Sequence, residues 1–304
     1  MRPMDGPPPL NSKIRKLPAR VLKAILWALC LLVLLTGITA FFLYRAAGAT
    51  PPWYLPPDSA AASQPARDAE NTLIDIQSWA GARYAWDYAR STGRPPLAKE
   101  PEASLTITLT ETQVNALLQK WFLIYSQETI AGQPLKDTFR APMVHFTSDR
   151  ITFAATMLDM NSRIMSIDFR PEVLPDGQLN LQLLTIHAGT LPLPQFTWSK
   201  PRAKLLGDLS RQLPELLGKA TIDLGGAANI PCIAAISAAQ AISILQHRPA
   251  SNALLLPILA ENIALPVHIE SIDLQEGALT LTVQSMTTNQ RQQLLTNLSA
   301  MPSD

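Results

Sequence analysis

Cysteine, glycine and histidine are scarce in this chain, and each scarcity removes a class of function. Two cysteines, Cys30 and Cys232, cannot build a disulfide framework, and neither sits in a lipobox-like context. Thirteen glycines against 26 prolines argue against glycine-rich phosphate loops and for strands joined by stiff connections. The four histidines, His145, His187, His247 and His268, show no H-x-x-x-H or H-E-x-x-H spacing, so no metal site is expected. There is no G-x-S-x-G, P-loop or G-x-G-x-x-G, and neither cysteine has a nucleophile's setting; no catalytic residue and no cofactor is expected. An excess of one charge is also lacking, with 25 Lys and Arg against 24 Asp and Glu. No basic patch is left to suggest nucleic acid.

What the chain does have is one long uncharged run, Ala24 to Tyr44, between Lys23 and Arg45. Its length suits the roughly 20 residues that a helix needs to cross a bilayer, and a helix satisfies its own backbone inside lipid. Arg2, Lys13, Arg15, Lys16, Arg20 and Lys23 precede it against the single acid Asp5, and nothing basic occurs between Arg45 and Arg67. The positive-inside bias therefore makes residues 1–23 a cytoplasmic tail and residues 24–44 a transmembrane helix in the cytoplasmic membrane, with the remainder outside the cytoplasm. Trp27, Phe41, Phe42 and Tyr44 suit the two interfaces, and Trp53 and Tyr54 lie just beyond. A cleaved signal peptide is the competing reading, because Ala47-Gly48-Ala49 offers a peptidase small residues; signal h-regions of about 7–15 residues are shorter than this run. With Cys30 inside the span, it cannot pair with Cys232. Residues 45–67, rich in Pro and Ala, predict a semi-rigid stalk.

The extracytoplasmic domain is expected over residues 68–304. Asp68 is placed to cap a helix carrying Leu73, Ile76, Trp79, Ala80, Tyr84 and Trp86, ending near Gly93. Leu105 to Leu109 alternates as a half-buried strand, and Thr110-Glu111-Thr112-Gln113 is a capping box for a helix with Val114, Leu117, Leu118, Trp121 and Tyr125 on one face. That face should bury against the strands that follow, Met143–Phe146, Arg150–Leu158, Ser162–Arg170 and Gln178–His187. Turn chemistry at Ser148-Asp149, Asp159 to Asn161 and Pro175-Asp176-Gly177 makes them an antiparallel meander. Met165, Ile167 and Phe169 alternate with Ile164, Ser166 and Asp168, which predicts one apolar and one wet face. Asp159, Asp168 and Glu172, interspersed with Arg163 and Arg170, read as a solvated ion-paired surface.

Leu191-Pro192-Leu193-Pro194 marks an exit from the sheet. Helical spacing follows over Ser199–Leu217, with Pro214 kinking or ending it, and over Ile230–Gln246; Leu254–Leu259 resembles a short buried helix. Val267–Leu274 and Leu279–Val283 form a closing hairpin, and Thr287–Leu298 a polar helix. Residues 220–265 either join the core or form a helical lobe of their own. The fold class is α+β: an N-terminal transmembrane helix followed by a curved antiparallel β-sheet packed on helices.

Several strings carry a family resemblance: Leu105 to Trp121 (LTITLTETQVNALLQKW), Ala141-Pro142-Met143-Val144, Arg150-Ile151-Thr152-Phe153, Phe169-Arg170-Pro171, Asp176-Gly177-Gln178-Leu179, and Gly189 to Pro194. Together they resemble the YpmS-like family of bacterial single-pass membrane proteins. The likeness covers the anchor and about Leu105 to Leu206, and the segment from Ala220 to Leu265 departs from it. The resemblance implies an extracytoplasmic domain without established activity and carries over no catalytic residue.

Two functions from different classes fit these readings. In the first, the sheet curves around the Val114–Tyr125 helix and leaves an apolar groove for a lipid or other hydrophobic ligand, lined by Trp121, Phe122, Phe153, Met157, Met165, Ile167 and Phe169. In the second, the domain is a cell-envelope scaffold that docks another membrane protein, and the same residues are closed core. An enzyme would need convergent polar groups that no spacing here reveals.

Overall fold

The structure, a computed structural model, describes residues 34–36, 38–39, 41–56, 62–95, 99–125, 129–130, 133–158, 160–175, 178–219, 221–223, 229–231, 233–248, 253–258, 263–287, 290 and 296. The chain divides into two compact units, Met1–Ala46 and Ala47–Asp304. In the first unit the described residues are helical, and Leu34, Leu35, Ile38, Phe41, Phe42, Leu43 and Tyr44 are all exposed. Phe41 and Phe42 meet edge to face at 5.9 Å. Among the described residues no helix is long and apolar enough to cross a membrane. Residues 1–33, 37 and 40 lie outside the described residues, so the expected tail, Cys30 and more than half of the expected span do too. The same holds for Cys232, for Asp159, Asp176 and Gly177 of the expected turns, and for most of the expected tail helix.

The second unit is α+β, with antiparallel sheets packed on helices. It begins with α1 (Ser63–Ser91), β1 (Ser104–Thr110) and α2 (Glu111–Tyr125), followed by the short pieces β2 (Thr129–Ile130), β3 (Gln133–Pro134) and α3 (Leu135–Thr138). The meander is β4 (Phe139–Thr147), β5 (Arg150–Met157), β6 (Arg163–Val173), β7 (Leu179–Ala188) and β8 (Leu191–Pro192). Then come α4 (Gln195–Lys219), β9 (Thr221–Asp223), β10 (Asn229–Pro231), α5 (Ile233–Leu245), β11 (Ala253–Ile258), β12 (Ile263–Gln275) and β13 (Ala278–Ser285). Instead of one curved sheet there are two large ones: five strands in the order β4-β5-β6-β7-β8, and four in the order β1-β13-β12-β11.

The four-stranded sheet joins distant parts of the chain. Strand β1 pairs with β13, from Ser104 opposite Gln284 to Thr110 opposite Ala278, and not with the meander that follows it. The two segments alternate aliphatic and Thr with the same period, so a single register buries both aliphatic sets. Leu105, Ile107, Leu281, Val267 and Val283 pack against Leu73, Ile76, Trp79 and Ala80 of α1. On the opposite side Thr106 and Thr282 hydroxyls meet at 3.2 Å, and Thr108 and Thr280 at 2.9 Å.

Segment 254–259, expected as a helix, is mostly strand β11 at the edge of this sheet. An edge tolerates Pro257, whose missing N–H has no partner to disappoint. Through β11 the region after residue 220 joins the four-stranded sheet. Helix α1 starts at Ser63, ahead of Asp68, with Ala62 at the cap position and no side-chain cap there. It ends as expected at Gly93, whose φ of 68° allows Arg94 N–H to reach Ala89 C=O at 2.9 Å. Helix α4 runs through Pro214 to Lys219 rather than ending there.

How α2 docks explains its sequence. The expected capping box forms: Gln113 Oε1 accepts from Thr110 N–H at 2.9 Å, and Gln113 N–H reaches Thr110 Oγ1 at 3.3 Å. Buried Asn115 gives Nδ2 to Val144 C=O at 2.9 Å and takes Val144 N–H at 2.7 Å. One turn earlier Glu111 accepts Phe146 N–H at 2.9 Å, and one turn later Gln119 donates to Pro142 C=O at 2.8 Å. Four helical residues rise about 6 Å and two strand residues about 6.6 Å. Glu111, Asn115 and Gln119 therefore keep step with Phe146, Val144 and Pro142 and satisfy an otherwise bare sheet edge.

Candidate functional site

Cross-strand partners share a face, so the register sorts the five-stranded sheet into two surfaces. On one, Val144, Phe153, Ile167 and Ile186 form a row, as do Phe146, Ile151, Phe169 and Leu183, and Ala155, Met165 and Ala188. Met157 lies beside Phe139 on this surface, and the Phe139 ring is 5.4 Å from that of Phe122. The other surface carries His145, Thr152, Ala154, Ile164, Ser166, Asp168, Thr185 and His187.

The polar surface, expected to be wet, is largely covered, and the apolar surface is buried at Val144, Phe146, Ala155 and Ala188. Thr152, Ser166 and Asp168 are 6%, 3% and 5% exposed, whereas Phe153, Met157, Met165, Ile167 and Phe169 are all half-buried. The segment expected as a stalk packs on part of the polar surface. Pro51 C=O accepts from Tyr54 N–H at 3.0 Å, a turn that presents Trp53 and Tyr54 to the sheet. Tyr54 is buried with Met143 and Ala154, with Trp53, Ala141 and Ile164 alongside. Its hydroxyl donates to Ala141 C=O at 2.7 Å and lies 3.0 Å from Thr156 Oγ1; burial pushes this phenol's pKa up, with Thr156 opposing. Ala141 has φ of 47°, at the point where the β4–β5 register shifts, so the Tyr54 bond falls on a β-bulge. Trp53 stacks on His145 at 5.0 Å and 7°, and His145 Nδ1 is 2.9 Å from Glu111.

Asp168 is therefore no part of a solvated ion-paired face. It takes Thr152 Oγ1–H at 2.8 Å, with Arg150 at 3.6 Å and His187 at 3.8 Å. Its partners are not Arg163 and Arg170: Arg170 meets Asp149 at 3.6 Å instead. Hydrogen bonding from Arg150 holds the Asp149 carboxyl below its usual range, and the same contact raises Arg150. In the other sheet, His268 Nδ1 is buried without a partner among the described residues. Burial lowers this imidazole, opposed by the Glu270 charge and a hydrogen bond with Gln284.

Of the seven residues expected to line a groove, the structure brings Phe153, Met157, Met165, Ile167 and Phe169 onto one face and joins Phe122 to them through Phe139. Trp121 stays 37% exposed on α2. None of the seven lines the open depression of about 650 Å³ at the end of α1, which belongs to Trp86, Arg90, Gly93, Arg94, Pro95 and Glu100. There Arg83 and Arg90 stack on Trp86 at 5.1 and 5.3 Å. Sequence reasoning missed Trp53 and Tyr54 as part of the domain, and it missed Glu111, Asn115 and Gln119 as an edge ladder. The ladder's signal was present, a polar residue every fourth position along an apolar helix. Among the described residues no three His, Cys, Asp or Glu side chains converge as a metal site would need. No protein-family model, curated protein or solved structure matches the chain.

Proposed function

We propose that this chain is a non-catalytic, single-pass protein of the bacterial cytoplasmic membrane, whose extracytoplasmic domain holds a lipid or other hydrophobic molecule against the apolar face of β5 and β6. The run Ala24–Tyr44, the six basic residues ahead of it and the likeness to the YpmS-like family support the anchor. So do the exposed apolar side chains from Leu34 to Tyr44, which water disfavours and lipid does not.

One observation carries the ligand reading. Phe153, Met165, Ile167 and Phe169 keep partial exposure beside buried Val144, Phe146, Ala155 and Ala188 of the same face, while Thr152, Ser166 and Asp168 behind them are buried. An ordinary antiparallel sheet does the reverse. Met and Phe are adaptable linings for a flexible acyl chain. Native mass spectrometry with lipid extraction tests this on the full chain in detergent. The expected result is a retained lipid or apolar molecule that Ile167→Asn or Phe153→Asn releases while the fold, followed by circular dichroism, persists. A domain empty of ligand that also takes up no added lipid overturns the reading, and stoichiometric copurification of an envelope protein would favour the scaffold.

A further inference from the structure

We infer that two copies of this chain join edge to edge through β1, antiparallel about Ile107, so that their four-stranded sheets become one continuous sheet. The inference concerns the second unit alone and does not depend on the ligand reading above. Among the described residues β1 has one strand neighbour, β13. Glu111 N–H donates to Gly277 C=O at 2.8 Å, in step with that pairing, whereas Thr110 N–H is taken by Gln113 Oε1 at 2.9 Å. Antiparallel bonding alternates along a strand, so Leu105, Ile107 and Leu109 bond to β13, and Thr106 and Thr108 aim their N–H and C=O outward. Both threonines are exposed. An edge of this kind is a template for another strand, and folds usually blunt it. Among the described residues the other edges of the two large sheets are blunted. Side chains of Glu111, Asn115 and Gln119 occupy β4, the short β8 contains Pro192, and β11 contains Pro257. Strand β1 has neither a proline nor a charge.

The symmetry of the strand names the occupant as a second copy. Leu105-Thr106-Ile107-Thr108-Leu109 reads the same in both directions. Antiparallel pairing about Ile107 sets Thr106 against Thr108 of the second copy, Leu105 against its Leu109, and Ile107 against its own counterpart. The outward backbone groups of Thr106 and Thr108 each then exchange a pair of hydrogen bonds with the opposing threonine. The hydroxyl row that already joins Thr106 to Thr282 and Thr108 to Thr280 continues across the junction, and the aliphatic row on the α1 side meets aliphatic residues. A two-fold axis normal to the sheet keeps both α1 helices on one side, as an isologous contact requires. Half-buried Leu105, Ile107 and Leu109 lose exposure in the same step. A slip of one residue would turn one copy's threonines to the other's aliphatic side, so the register is specified. Helix α2, which leaves Thr110, is bonded along β4.

The test uses the full chain in detergent with Cys30→Ala and Cys232→Ala, in two differently tagged forms, one with Thr106→Cys and the other with Thr108→Cys. Directly opposed residues of a hydrogen-bonded pair lie about 5.5 Å apart at Cα, within disulfide reach, whereas the like-to-like diagonal is about 7–8 Å. After mild oxidation the mixture is expected to give at least about fivefold more cross-linked dimer than either form alone. The chain without introduced cysteines should sediment as a dimer. Thr108→Pro deletes an outward N–H that the single copy does not use, so it should return the chain to monomer with its circular dichroism unchanged. Cross-linking as strong in either form alone as in the mixture overturns the register. A chain that sediments as a monomer, or a dimer that survives Thr108→Pro, overturns the inference. Cross-links from positions 106 and 108 to a different protein in native membranes, in place of the dimer, overturn it in favour of a partner's strand.

Discussion

The four-stranded sheet turns its threonines outward and its aliphatic residues onto α1, whereas the five-stranded sheet buries Thr152, Ser166 and Asp168 on one face and Val144, Phe146, Ala155 and Ala188 on the other, with Phe153, Ile167 and Phe169 partly exposed. Both alternate with the strand period of two, so alternation alone cannot account for the difference. It comes from what lies across each sheet. Helix α1 covers the first, while on the second Trp53 stacks on His145 and Tyr54 bonds Ala141 and Thr156. The partly exposed Phe153, Ile167 and Phe169 are the part of the apolar face on which the proposed ligand would rest.

The comparison breaks first at Asn115. Asn115→Ala strips Val144 of a donor and an acceptor in a buried setting and should cost about 3 kcal/mol, at about 1–3 kcal/mol per unsatisfied group. A fall in the urea midpoint of the detergent-solubilised chain, followed by circular dichroism, measures it; an unchanged midpoint would mean that water replaces the ladder.

The same chemical change made in both sheets sharpens the contrast. Thr152→Val removes the 2.8 Å donor to buried Asp168 and should cost about 1–2 kcal/mol, whereas Thr108→Val on the exposed face of β1 should stay within about 0.5 kcal/mol. Equal effects in thermal unfolding would erase the distinction between the faces. Tyr54→Phe keeps the ring and loses the bond to Ala141, for a loss of about 1 kcal/mol by the same measurement.

The smallest effect is a pH dependence. His268 has a folded pKa depressed by burial, so the unfolded chain binds its proton more readily. Stability should fall as pH drops below the ordinary histidine value of about 6.5, continuing down to the lowered folded pKa. His268→Gln should flatten that part of the urea-midpoint profile. A slope unchanged by the substitution would assign the effect to other groups.

The period-based part of the fold was legible: the meander, the capping box at Thr110, the end of α1 at Gly93 and the closing hairpin each rest on local chemistry that the chain carries with it. Pairing β1 with β13 was not, because matching LTITL to LTLTV across about 170 residues is one of several equivalent registers until α1 is in place. Segment 254–259 reads equally as a buried helix or a strand, since a short apolar run has no period to separate them. For the candidate site, shared residence of Phe153, Met165, Ile167 and Phe169 on one face followed from alternation. That the polar face would also be packed did not, because Trp53 and Tyr54, which pack on it, lie nearly a hundred residues upstream in a proline-rich stretch whose composition suits a linker.

The most direct test of the central claim is photolabelling of the membrane-reconstituted chain with a diazirine fatty acid, read by peptide mass mapping. Adducts are expected on residues 151–169, concentrated at Phe153, Met165 and Ile167, and not on residues 105–109 or 279–283 of the other sheet. Labelling spread equally over both sheets, or absent from β5 and β6, would contradict the account.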